Sequence, residues 1–299
     1  MGTADLGLIV GKEHVLTGAE CAAHRVSGVV PEAVVAPGTR EEAAEVIRLA
    51  AERGWGLVPF GAGTQISLGG VPRRFDVALS TRRLNRVVDY QPDDMTVTVE
   101  PGVTTAELER LLAERGQFLP LNPSLPERAT VGGIVASAAY GSWCAAYGTP
   151  RDWVIGCRVV GVDGKEVRGG GQVVKNVAGY DLPKLYTGSF GTLGLITELT
   201  FKVLPQAGVS GFCALDAATP EQAEQLLAAI LDSDLQPAAL ELLGGSLTVG
   251  GESPWRLFVQ LLHVPDAVEW QAEQLARLAE SAGSRFRRLE ETEGARLLA

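Results

Sequence analysis

The stretch Val58–Gly70, VPFGAGTQISLGG, constrains this chain more than any other. The apolar run Leu57 to Phe60 reads as a strand. It empties into Gly61, Ala62, Gly63, Thr64 and Gln65, a loop with little side-chain bulk to hold a ligand away from the backbone. Such a loop suits a phosphate, and it equally suits a plain tight reversal. It is not a Walker loop, because no Lys-Ser or Lys-Thr follows. Nor is it the dinucleotide fingerprint, because Ile66 stands where the third glycine belongs.

With 299 residues, 46% of them hydrophobic, the chain can bury a large core and is expected to divide into two domains. Its net charge of -10 argues against a general nucleic-acid surface, so a phosphate would be held by local backbone donors rather than by a basic field. Cys21, Cys144, Cys157 and Cys213 lack CxxC or metal-finger spacing and read as reduced thiols. His14, His24 and His263 are too dispersed for a metal site. The N-terminal residues carry neither a basic n-region nor a long apolar run, so neither a signal peptide nor a membrane span is expected.

In chain order, Val34 to Pro37 predicts a strand, and Thr39-Arg-Glu-Glu predicts a helix capped by Thr39, ending near Gly54. With Leu57 to Phe60 this forms a β-α-β unit feeding the glycine loop. Phe75–Ser80 and Arg86–Tyr90 complete a first lobe over about residues 30–90. A second lobe, 91–207, opens with the strand Thr96–Val99, stopped by Pro101 and Gly102, and a helix from Thr104 to Arg115. Thr130–Gly141, TVGGIVASAAYG, is a second candidate ligand loop, with tight helix packing as the alternative. Asp163-Gly164 predicts a hairpin turn between strands. Gly188, Gly191 and Gly194 then precede a strand from Leu193 to Leu204. They suit backbone wrapped round a ligand, or a sharp crossover. From 208 to 299 the predicted order is β-α-β-β-α-β, a ferredoxin-like cap with one helix-covered face.

Taken together, PFGAGTQ, the VEPGV turn at Val99–Val103, TVGG and GSFGTLGLIT resemble the FAD-binding fold of the vanillyl-alcohol oxidase and p-cresol methylhydroxylase type, in order and spacing over roughly residues 30–207. Within that family, VVKNVAGYDLPKLYTGSFGTLG is similar to the FAD-binding subunits of bacterial glycolate oxidases. The resemblance implies an α+β chain: a two-lobed PCMH-type FAD-binding domain, 1–207, followed by a cap domain, 208–299, incomplete at its C-terminus.

The resemblance also implies FAD as the cofactor. Phe60, Gly61, Ala62, Gly63, Thr64 and Gln65, with Pro101 and Gly102, would surround its pyrophosphate, joined by Thr130, Gly132 and Gly133. Ala136, Ser137, Gly141, Tyr147 and Gly148 would lie by the ribityl chain and flavin ring, and Gly191, Gly194 and Ile196 by the ring or adenosine. Asp181 and Lys184 are further contacts or surface groups. No histidine lies in the first loop, which implies non-covalent FAD, with Cys144 as the alternative attachment point. Ala138 replaces an asparagine common in relatives.

The histidine-rich cap segment of related 2-hydroxy-acid dehydrogenases is missing, which leaves the catalytic residues unassigned. His263 and Arg256 are the cap residues to examine. The implied activity is two-electron oxidation of a small 2-hydroxy acid such as glycolate. Electrons would pass to partner subunits that include an iron-sulfur acceptor, in the cytoplasm and peripheral to the inner membrane through those partners. A non-catalytic flavin-binding relay or assembly subunit is the alternative. A nicotinamide-dependent reductase, or a nucleotide-binding module unrelated to redox, is a third reading.

Overall fold

The computed structural model describes residues 3–172, 179–206, 208–245 and 254–298. The motif residues Val173–Ala178 lie outside the described residues. The chain forms two compact units: Met1–Tyr140 with Thr149–Leu204, and Gly141–Gly148 with Pro205–Ala299.

Among the described residues, the first unit is built on two larger sheets. One runs Val15–Thr17, Ala33–Val35, Val77–Ser80, Leu57–Phe60. The expected β-α-β unit exists, with its helix at Arg40–Arg53, but Val77–Ser80 is inserted between its strands and pairs parallel with both. All four of its residues are buried, as befits a central parallel strand. Thr39 caps the helix by accepting from the Glu42 N–H at 3.1 Å, and Gly54 closes it at φ 62°. Ala43, Val46, Ile47 and Ala50 form its buried face. A helix at Thr3–Val10, which sequence reasoning missed, packs Leu6 and Val10 into the same core.

The second sheet is antiparallel, in the order Val87–Gln91, Thr96–Val99, Leu195–Lys202, Val154–Val160, Glu166–Gly170. Val87–Gln91, placed in the first lobe from sequence, belongs here instead, because the tight turn after Gln91 returns the chain as its neighbour. The segment Thr130–Gly141 is not a loop throughout: Val131–Ser137 is a helix, with the Thr130 hydroxyl accepting from the Gly133 N–H at 3.3 Å.

Over residues 209–289 the second unit follows β-α-β-β-α-β, and it adds a helix after the last strand and the segment Gly141–Gly148. Its antiparallel sheet runs Ala239–Gly244, Trp255–His263, Val209–Ala217, Arg285–Leu289. The helices Pro220–Leu231 and Pro265–Ser281 cover one face, burying Leu226, Ile230, Leu275 and Ala279 against Leu215, Leu257 and Val259. The opposite face is not bare. Phe212, Phe258 and Leu289 pack there with Leu297 and Leu298 of a further helix, Glu291–Leu298. Gly294 lies so close to the Phe212 ring that a Cβ would collide with it. The segment Gly141–Gly148 belongs to this unit, where the Trp143 indole N–H donates to Gln260 Oε1 at 2.6 Å.

Candidate functional site

The strand Leu57–Phe60 delivers the glycine loop to one wall of a cavity of about 340 Å³, wholly within the first unit. That volume falls in the range of small-molecule sites, roughly 300–1,000 Å³. Phe60, Gly61, Ala62, Gly63, Thr64 and Gln65 all line it. So do Pro101, Thr130, Gly132, Gly133, Ala136 and Ser137, and then Gly191, Gly194 and Ile196. Four stretches far apart in sequence thus meet round one space.

The loop's hydrogen-bonding state bears on what it can hold. Among the described residues, the backbone N–H groups of Gly61, Ala62, Gly63, Thr64 and Gln65 donate to no protein acceptor. Five successive donors without a protein acceptor, with Gly63 at φ 73°, make a donor set chemically suited to an anion. The loop's shape is set by packing beneath it. A Cβ on Gly61 would lie 2.5 Å from Thr130 Oγ1, and one on Gly63 would lie 2.8 Å from the Phe60 ring.

The helix segment contributes differently. The Gly132 N–H is spent on Pro101 O at 2.9 Å, and that of Gly133 on Thr130 Oγ1. A Cβ on Gly132 would collide with Pro101, whereas one on Gly133 meets only Thr130 Oγ1, at 3.1 Å, with nothing else within 4 Å. Gly132 is therefore a packing glycine, and Gly133 offers a bare surface to the cavity. Ser137 Oγ donates to Gly133 O at 2.7 Å, so its hydroxyl hydrogen is committed within the helix.

Pro101 lines the cavity, and beside it the buried Glu100 receives the Arg86 backbone N–H at 2.8 Å and the Arg86 guanidinium at 2.7 Å. Gly102 is not a lining residue. It lies buried beneath, where a Cβ would strike the carbonyls of Thr81 and Leu84. Gly141, Tyr147 and Gly148 belong to the second unit and are not among the lining residues either.

Electrostatics around the loop favour an anion locally despite the chain's net charge. A recess of about 370 Å³ opens on Phe60, Ala62, Gly63 and Ile66 and carries Arg25 and Arg128. Neither arginine pairs with a carboxylate among the described residues. His24 packs on Phe60 with ring centroids 4.9 Å apart. Burial, and then the positive charge of Arg82, lower its pKa and favour the neutral ring.

Sequence reasoning missed several lining residues, among them Val26, Pro72, Thr81, Phe190 and Thr192. Phe190 had the clearest signal, lying between two glycines of a loop already singled out. It adopts φ 52°, and Ala138 adopts φ 50°. Non-glycine residues in this region store on the order of 1–3 kcal/mol each. Both sit where the loop after Tyr186 meets the end of the cavity helix, with Gly188 N–H donating to Val135 O and Phe190 N–H to Ala136 O.

The remaining candidates are structural in their surroundings. Asp181 caps the helix Leu182–Tyr186 and pairs with Lys184 at 2.8 Å on the surface. In the second unit, Arg256 is buried and its Nε donates to Asp216 Oδ1 at 2.7 Å, while His263 is exposed at a strand end. Cys144 lies in the short helix Cys144–Tyr147 of that unit.

Comparison with known proteins points to a family and a fold. The FAD binding domain family matches residues 31–170. Glycolate oxidase subunit GlcD of Bacillus subtilis is 34% identical over 72% of this chain and 46% of its own length. Glycolate oxidase subunit GlcE of Escherichia coli is 41% identical over 44% of this chain and 38% of its own length. The chain thus spans less than half the length of these curated relatives. A p-cresol methylhydroxylase crystal structure superposes with a TM-score of 0.82 at 17% identity, covering 99% of this chain and 68% of that one, a likeness of fold. Residues 31–170 of this chain are therefore similar to the FAD binding domain family.

Proposed function

We propose that the cavity of the first unit holds FAD non-covalently and that the chain serves as an FAD-binding subunit in the two-electron oxidation of a small 2-hydroxy acid such as glycolate. The observation that carries the reading is the run of five unspent N–H groups from Gly61 to Gln65 on the cavity wall. A pyrophosphate carries about two negative charges, which such an array holds without a basic side chain in the loop. Thr130 shapes the loop, Gly133 leaves room beside it, and Pro101, Ala136, Gly191, Gly194 and Ile196 supply an apolar lining. Bound FAD would accept the two electrons released as an alcohol carbon becomes a carbonyl. The likeness to two glycolate oxidase subunits supports the substrate class and a role beside partner subunits. We propose that one of those partners carries an iron-sulfur centre as the onward acceptor.

A second reading, a flavin-binding relay or assembly subunit, draws on the second unit. Arg256 is engaged by Asp216, and His263 stands exposed at a strand end, so neither is arranged as an acid, base or carboxylate clamp there.

The purified chain, reconstituted with FAD, is expected to show a flavin absorption band that is lost on denaturation and filtration. A colourless protein with no affinity for FAD overturns the proposal. Gly133→Leu directs its side chain into the cavity, and is expected to fold while losing FAD. If the bound flavin bleaches with glycolate or D-lactate, this chain oxidises the substrate. If it bleaches only with partner subunits present, the relay reading gains.

A further inference from the structure

We infer that Phe190 is a stacking platform for a flat heteroaromatic ring of the bound dinucleotide, an inference that rests on the FAD reading of the cavity. Three observations carry it. First, Phe190 lines the cavity, yet the residue remains 46% exposed, so it is not a core residue. Second, its backbone is in the left-handed region at φ 52°, between Gly188 and Gly191, which also have positive φ. Third, the hydrogen bond that fixes this turn, Phe190 N–H to Ala136 O at 2.7 Å, uses only the main chain.

A glycine would make the same bond, relieve the backbone and expose no apolar ring. The aromatic side chain therefore costs conformational energy while nearly half of the residue's surface stays unburied in the protein alone. Such strain is retained where the residue has work to do. An aromatic ring held at the wall of an apolar cavity is suited to receive another π-face, whose stacking removes both from water. FAD offers two such faces, adenine and isoalloxazine, and the same chemistry serves either.

The test compares apoprotein of wild type, Phe190→Gly, Phe190→Ala and Phe190→Tyr by thermal melting and by titration with FAD, ADP and riboflavin. Phe190→Gly is expected to melt at the wild-type temperature or above it and to bind FAD about ten-fold more weakly or worse, as aromatic–base stacking predicts. Phe190→Ala should lose the same affinity without relief of the backbone, and Phe190→Tyr should retain it. A parallel loss for ADP identifies adenine as the stacked ring; a loss for riboflavin identifies isoalloxazine. Wild-type affinity for FAD in both Phe190→Gly and Phe190→Ala overturns the inference and leaves the FAD reading standing. So does a loss for FAD shared by neither fragment. Wild-type protein that binds no FAD overturns both.

Discussion

Ala138 shows how much one backbone angle explains. It terminates the cavity helix at φ 50° and ψ 36°, a conformation that glycine and asparagine tolerate best. An asparagine at this position would therefore have a main-chain reason as well as any role in binding. Ala138→Gly is expected to stabilise the protein by about 0.5–1 kcal/mol, because the relief of strain outweighs the added freedom of the unfolded chain. That corresponds to a melting temperature higher by about 1–3 °C. A lower melting temperature would show that the angle is not strained. Residue identity alone made the bareness of Gly61–Gln65 legible, but not which glycines face a ligand. Gly132 and Gly133 are adjacent and chemically identical, yet one packs on Pro101 and the other opens on the cavity. Only the fold distinguishes them.

At the scale of elements, what could be read from sequence was what local chemistry decides. Thr39, Thr104 and Thr219 each precede a helix and accept a hydrogen bond from its first turn, and the Thr39 cap was plain in the sequence, with Glu42 three places on. The helix Val131–Ser137 was harder. Its paired glycines carry low helix propensity, and what fixes it is the non-local packing of Gly132 on Pro101 and the Thr130 cap. Val77–Ser80 was recognised as a strand, but its place between two others depends on pairing partners that no local pattern specifies. The Asp163-Gly164 hairpin joins both levels. Its turn was plain from the dipeptide, and Gly164 lies at φ 73° with Asp163 Oδ1 accepting from the Lys165 N–H. The structure adds that the turn docks on the helix Arg40–Arg53: a Cβ on Gly164 would lie 2.9 Å from Ala44 O and 3.1 Å from Arg48 Cβ. Gly164→Ala is therefore expected to destabilise the fold by about 1–3 kcal/mol, through both the angle and the collision. Urea denaturation measures this, and a change under about 0.5 kcal/mol would rule out the docking as a tight constraint.

Across the whole molecule, each compact unit buries a thiol whose ionisation the fold resists. Cys157 lies in the strand Val154–Val160 of the first unit, and Cys213 in Val209–Ala217 of the second. Burial is the main cause in both, and it pushes each pKa up from 9.0 to about 11. The sign of the consequence follows from proton counting. Between about pH 9 and 11 the unfolded chain loses these protons while the folded chain keeps them, so stability falls as pH rises through that window. Two pKa units correspond to on the order of 2–3 kcal/mol per thiol when the upper end is reached. Other groups titrate in the same range, notably Tyr90, Tyr147 and Tyr186, whose pKa values burial also raises. The comparison must therefore isolate the thiols. Wild type and the double variant Cys157→Ala, Cys213→Ala, unfolded in urea at steps from pH 8 to pH 11, are expected to differ in slope, with the wild type losing stability more steeply above pH 9. Each single variant should recover about half of the difference, since the two thiols sit in separate compact units and share no partner. Parallel slopes for wild type and double variant would mean that the buried thiolates are accommodated by local opening and that their protonation is not linked to global unfolding.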